Sequence, residues 1–178
     1  MAKFIDYAGG REVQDIMEKF LQKFPQIFEG FDSSRIGFVL TKKKKSKVPV
    51  RLVPIGYPLD VFTNKTYVVE AYDKWWAKMD QKKQNLAVFH IMCAIPDGAF
   101  DEQSKNYGKK LQPDIKMYMK EYAASGGVPN WMENPAASDP LGRTLEEIEE
   151  DVPDVEAIPE DDGVERNPVN KEAVEAVA

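Results

Sequence analysis

The 178-residue chain contains a single cysteine, Cys93, and a single histidine, His90. One thiol cannot close an intramolecular disulfide, so the sequence does not read as a secreted, disulfide-stapled scaffold. It also lacks any run near the roughly 18 apolar residues that a membrane-spanning helix needs. Its opening stretch, MAKFIDYAGGREVQDIMEKF, holds no apolar core of the kind a signal peptide uses. A cytoplasmic protein with no membrane partner is expected. There is no G-x-x-x-x-G-K-[ST] or G-x-G-x-x-G phosphate loop and no G-x-S-x-G nucleophile turn. The common signatures of nucleotide binding and serine hydrolysis are therefore missing.

Charge is plentiful but uneven. The formal net charge is -6, yet from Pro135 onward 14 Asp and Glu residues face 3 Lys and Arg, which leaves residues 1–134 net positive. The stretch TLEEIEEDVPDVEAIPEDDGVE has two prolines, no aromatic residue and little apolar area to offset the entropy of ordering. Two regions are expected: a globular domain over residues 1–134 and a disordered acidic tail over residues 135–178. Leu145, Ile148, Val152, Val155 and Ile158 give the tail an apolar side suited to folding on a partner.

Inside the globular region the patterning mixes two periods. Val13, Ile16, Met17, Phe20, Leu21 and Phe24 recur at helical spacing until Pro25 stops them. RIGFVLT (35–41) and KTYVVEAY (65–72) are short, β-branched and aromatic, and read as strands. KVPVRLVPIGYPLDVFTNK between them carries Pro49, Pro54 and Pro58, which predicts an edge strand or an irregular connection. Asp80 is a candidate N-cap for a helix through QKKQNLAVFHIMCA, with Leu86, Phe89, His90 and Cys93 on an inward face and Pro96 and Gly98 at its end. PDIKMYMKEYAA (113–124) predicts a further helix starting at Pro113. Trp131 is expected to anchor the following segment, and of the adjacent Trp75 and Trp76 one must face away from the core.

The helix NLAVFHIMCAIP invites comparison with zinc hydrolases. An HExxH helix places two histidines one turn apart as ligands and a glutamate after the first to take a proton from bound water. Here those positions hold His90, Ile91, Met92, Cys93 and Ala94, so Ile91 stands for the base and Ala94 for the second ligand. The order of the surrounding segments, from FPQIFEGF through RIGFVLTKKKK and YVVEAYDKWWAKMDQKKQNLAVFH to LQPDIKMYMKEYAASGGVPNW, resembles the phage metallopeptidase family, a zincin-like group, over about residues 20–132. The resemblance implies an α+β zincin-like domain with a short mixed sheet packed against helices, made by a phage in a bacterial cytoplasm. It also implies a third histidine near Leu111-Gln112-Pro113-Asp114-Ile115, where this chain has none. Two readings of His90 follow. Either it is a packed imidazole and no cofactor is bound, or it is a residual zinc ligand acting with Cys93 and one of Asp97, Asp101, Glu102 or Asp114. Cys93 itself reads as a small buried residue before it reads as a nucleophile.

Two charged surfaces complete the inventory of interaction candidates. Lys42, Lys43, Lys44, Lys45 and Lys47 follow a strand and form a basic loop, though no aromatic side chain is interleaved to stack on bases. Glu146, Glu147, Glu149, Glu150 and Asp151 concentrate negative charge in the tail. The leading expectation is a pseudoenzyme with no catalytic residue, a metallopeptidase-like phage protein that binds or inhibits a host protein. The rivals are a metal-dependent peptidase using His90 with non-standard ligands, and a nucleic-acid-associated protein or DNA mimic.

Overall fold

In the computed structural model of the chain, the described residues are 5–6, 10–42, 48–112, 118–128, 131 and 134–151. The β-branched and aromatic runs form one mixed sheet from β1 (Ile5–Asp6), β2 (Ile36–Thr41), β3 (Val50–Pro54) and β4 (Tyr67–Tyr72), in the order β1-β2-β4-β3. β4 runs parallel to β2, with Ile36 opposite Tyr67, and antiparallel to β3, with Val50 opposite Ala71. The proline-rich connection thus becomes the edge strand β3, where a residue without an N–H is tolerated.

Among the described residues six α-helices accompany the sheet: α1 (Gly10–Lys23), α2 (Leu59–Thr63), α3 (Asp73–Trp76), α4 (Gln81–Cys93), α5 (Met119–Ala124) and α6 (Leu145–Glu150). The 3.6-residue spacing in α1 buries Val13, Ile16, Met17 and Phe20 on one face. The helix begins on a glycine because a Cβ at Gly10 would lie 2.6 Å from the Phe38 carbonyl oxygen of β2. The architecture is mixed α+β with a short mixed sheet and helices.

α4 is the centre of the core. The Asp80 side chain caps it by accepting the Lys83 N–H at 2.8 Å. Residues Asn85–Phe89 and Ile91–Cys93 are all buried, so the helix is covered nearly all round and packs on α1, β3, α5 and the Pro140–Gly142 turn. Phe89 meets Phe20 and Phe28 edge-on at ring distances of 5.2 and 5.5 Å. Burial of one such ring contributes about 1.5–3 kcal/mol, with the edge-on contacts adding to it. Beside the sheet, Trp76 is buried and donates through Nε1 to Glu12 at 2.9 Å, while Trp75 faces outward.

Two expectations change. The late helix starts at Met119, with Tyr118 extended before it, instead of at Pro113; residues 113–117 lie outside the described residues. The body also runs past residue 134. Ala137 and Ile148 are buried, Ser138 donates to the Ser125 carbonyl at 2.8 Å, and Asn85 Nδ2 donates to both oxygens of Asp139. Arg143 bonds the Ala123 and Glu147 carbonyls and pairs with Asp151 at 2.6 Å, tying α6 to α5. The acidic composition of residues 135–151 is a property of their solvent face, not a sign that the segment lacks a packed side. Residues 152–178 lie outside the described residues.

Candidate functional site

His90 lies on the last turn of α4, on the side turned towards α5, and its side chain is 34% exposed. This corrects the inward placement expected from the helix face: Leu86, Phe89 and Cys93 are buried, but the imidazole sits at the helix border. Its Nδ1 is 2.7 Å from Oε2 of Glu121, a residue of α5 with no solvent exposure. The same carboxylate accepts the Tyr118 N–H at 3.2 Å, closing the N-terminus of α5, and the Trp131 indole N–H. With the carboxylate accepting throughout, Nδ1 carries the imidazole proton. Three donors from three segments converge on one buried acid, and this is what makes its burial tolerable. Among the described residues Nε2 has no hydrogen-bond partner.

The remaining members of the expected metal site are dispersed. Ile91 and Ala94, at the base and second-ligand positions, are 2% and 0% exposed and belong to the core. Cys93 is buried beside Glu121; burial first, then that carboxylate, pushes its thiol well up, so the protonated form is the resting one. Asp101 caps the turn at Gln103, Glu102 pairs with Arg35 at 3.5 Å, Asp97 is exposed, and Asp114 lies outside the described residues. No three His, Cys, Asp or Glu residues gather among the described residues. The described members of the set therefore do not supply the three or four converging donors, with thiols deprotonated, that zinc takes.

A cavity of about 400 Å³ adjoins the network, lined by Phe28, Phe31, Met92, Cys93, Phe100 and Tyr118 among others. Tyr118 is the link, since its ring lies 5.1 Å from the imidazole and also lines the cavity. Glu29, Asp97, Asn106 and Lys120 share the lining with these apolar side chains, so the cavity is mixed in character.

Of the charged candidates, Lys42 is exposed at the end of β2, while Lys43, Lys44, Lys45 and Lys47 lie outside the described residues. Glu146, Glu147, Glu149, Glu150 and Asp151 are exposed on or just after α6. Two of them serve local structure: Glu147 forms a capping box with Thr144, and Asp151 pairs with Arg143.

A feature that sequence reasoning missed lies at α2. Tyr57, Leu59, Val61 and Phe62 are 86%, 61%, 69% and 82% exposed, whereas Asp60 among them is 7% exposed. The helix is inside out. Asp60 Oδ2 accepts from the Tyr107 hydroxyl at 3.3 Å, and that hydroxyl accepts from Arg35 at 2.8 Å; Asp60 Oδ1 accepts the Val61 N–H. The available signal was the placement of one acid in YPLDVF, but Tyr107 lies 47 residues beyond it, and the Arg35 that holds Tyr107 is 72 residues from that tyrosine.

Comparison with protein-family models, with curated proteins and with solved structures returned no match to this chain.

Proposed function

We propose that this chain is a catalytically inactive, metallopeptidase-like phage protein that acts by binding, and so inhibiting or redirecting, a host protein. The observation that supports this best is the use made of the His90 helix. Where a hydrolase would hold its base and second ligand, Ile91 and Ala94 fill the core, and the sole imidazole is joined to a buried Glu121 already occupied by Trp131 and Tyr118. A carboxylate fixed by three donors and closed off from solvent positions segments, and it is not placed beside bound water as a proton acceptor must be.

The test is a peptide-cleavage assay on the full chain with zinc, manganese or cobalt supplied. The reading expects product at the level of the protein-free blank. Metal-dependent cleavage that disappears in His90→Ala would overturn it.

One observation favours the hydrolase rival: an imidazole whose Nδ1–H is held by a carboxylate and whose Nε2 has no partner among the described residues has the orientation used by metal-binding histidines. The same assay decides it. The DNA-mimic reading draws on the exposed carboxylates Glu146, Glu149 and Glu150 of α6. It requires competition with DNA for a protein partner, whereas direct DNA contact requires affinity that falls steeply with salt.

A further inference from the structure

Proteins expose single apolar side chains freely, but four large ones on six consecutive residues call for a reason. On α2 the reason is not a lack of anything to bury, since Asp60 takes the inward position. Leu59, Val61 and Phe62 occupy the remaining circumference of the short helix, and Tyr57 precedes them. Rotating α2 to hide these residues would break the Tyr107–Asp60 contact. The Tyr107 ring that carries this contact is itself held by Arg35, which donates to its hydroxyl, stacks on its face at 5.3 Å and bonds the Phe100 carbonyl. The buried polar chain therefore holds the apolar face outward.

The surroundings of this face are cationic. Lys65 follows α2 directly; Lys109 and Lys110 lie just beyond Tyr107, where the Tyr67 hydroxyl donates to the Lys109 carbonyl. Arg51 stands on the neighbouring edge strand β3, and it crowds Lys110, whose ammonium is pushed down by burial and by that guanidinium. Among the described residues none of these four cations is in an ion pair. Of the carboxylates nearby, Asp60 is bonded within the fold and Glu102 pairs with Arg35, while Glu70 lies opposite Arg51 in the strand register and tempers the charge of that one cation. An apolar centre with a rim in which cations outnumber carboxylates is the layout of a protein-docking surface, the rim steering and orienting a partner of opposite sign.

We propose, resting on the binding reading above, that Tyr57, Leu59, Val61 and Phe62 form the docking surface, and that its occupant is a protein segment carrying apolar side chains flanked by carboxylates. The apolar side chains of that segment cover α2, and its carboxylates meet Arg51, Lys65, Lys109 and Lys110.

The experiment is selection of a random-peptide display library on the full chain, followed by titration of the recovered peptides. They are expected to be rich in Leu, Phe, Asp and Glu. Affinity should fall roughly tenfold or more on the Val61→Ser/Phe62→Ser variant, and about threefold on Arg51→Ala/Lys110→Ala, with further weakening at high salt. Because the substituted residues are exposed, circular dichroism and melting of both variants should match the parent. Peptides that bind the Ser variant as tightly as the parent would overturn the proposal, as would recovered peptides rich in Lys and Arg. Binding of phosphatidylglycerol vesicles in place of peptides, or self-association of the chain, lost in the Ser variant, would assign the face to another occupant and overturn it equally. Cleavage of the recovered peptides, seen by mass spectrometry, would sink the binding-module reading and leave the α2 surface standing. Loss of α2 dependence without cleavage would sink the surface alone.

Discussion

α4 and α2 carry comparable apolar content and use it in opposite ways. In α4 the apolar residues are enclosed and the one titratable ring, His90, sits at the border; in α2 the acid is enclosed and the apolar residues face solvent. The contrast teaches that hydrophobic pattern fixes that a helix has faces, while partners distant in sequence fix which face turns inward.

The largest expected effects pit one residue type against itself. Phe89→Ala empties a site between Phe20 and Phe28 and should cost about 3–5 kcal/mol in urea unfolding. Phe62→Ala removes a ring from solvent and should stay within about 0.5 kcal/mol of the parent. Equal losses would erase the contrast between the two helices. Glu121→Leu leaves the imidazole, the indole N–H and the Tyr118 N–H without their acceptor, for an expected loss of about 3–5 kcal/mol, measured the same way.

A smaller effect should appear in alkali. Burial, and after it the neighbouring Tyr107, pushes the Tyr67 phenol up to about 12. The unfolded chain releases this proton near 10, so over that interval the folded state holds more protons. Stability present below about pH 10 should therefore decline as pH rises towards about 12. Unfolding midpoints between those values check the slope, and Tyr67→Phe should flatten it. Smallest is the cap: Asp80→Ala should cost about 1 kcal/mol by freeing the Lys83 N–H, a loss that hydrogen exchange should localise to the first turn of α4.

Local physics was legible from the residues. The period of α1, the cap at Asp80, the edge position of the proline-rich strand, the opposite fates of Trp75 and Trp76 and the anchoring of Trp131 each follow from neighbours within a few positions or from rules of strand chemistry. What escaped depends on meetings across the chain. Glu121 looks like any exposed acid in KMYMKEYAA until His90, 31 residues earlier, and Trp131 turn towards it. Asp60 gives no hint of burial without Tyr107 and Arg35. Residues 135–151 read as a solvated strip because their acids outnumber their apolar residues, yet buried Ala137, Pro140 and Ile148 and the bonds of Arg143 hold the segment down. The candidate metal ligands were few and close in sequence, but Cys93 is buried as a thiol while the loop carboxylates serve turns and Arg35.

The central claim is that the His90 helix works as structure. Its most direct test is urea unfolding of the full chain in excess zinc and again in excess chelator, since any ion bound by the native state alone must raise stability. The account predicts superimposable curves. A midpoint that rises with zinc, and no longer does so in His90→Ala, would contradict it.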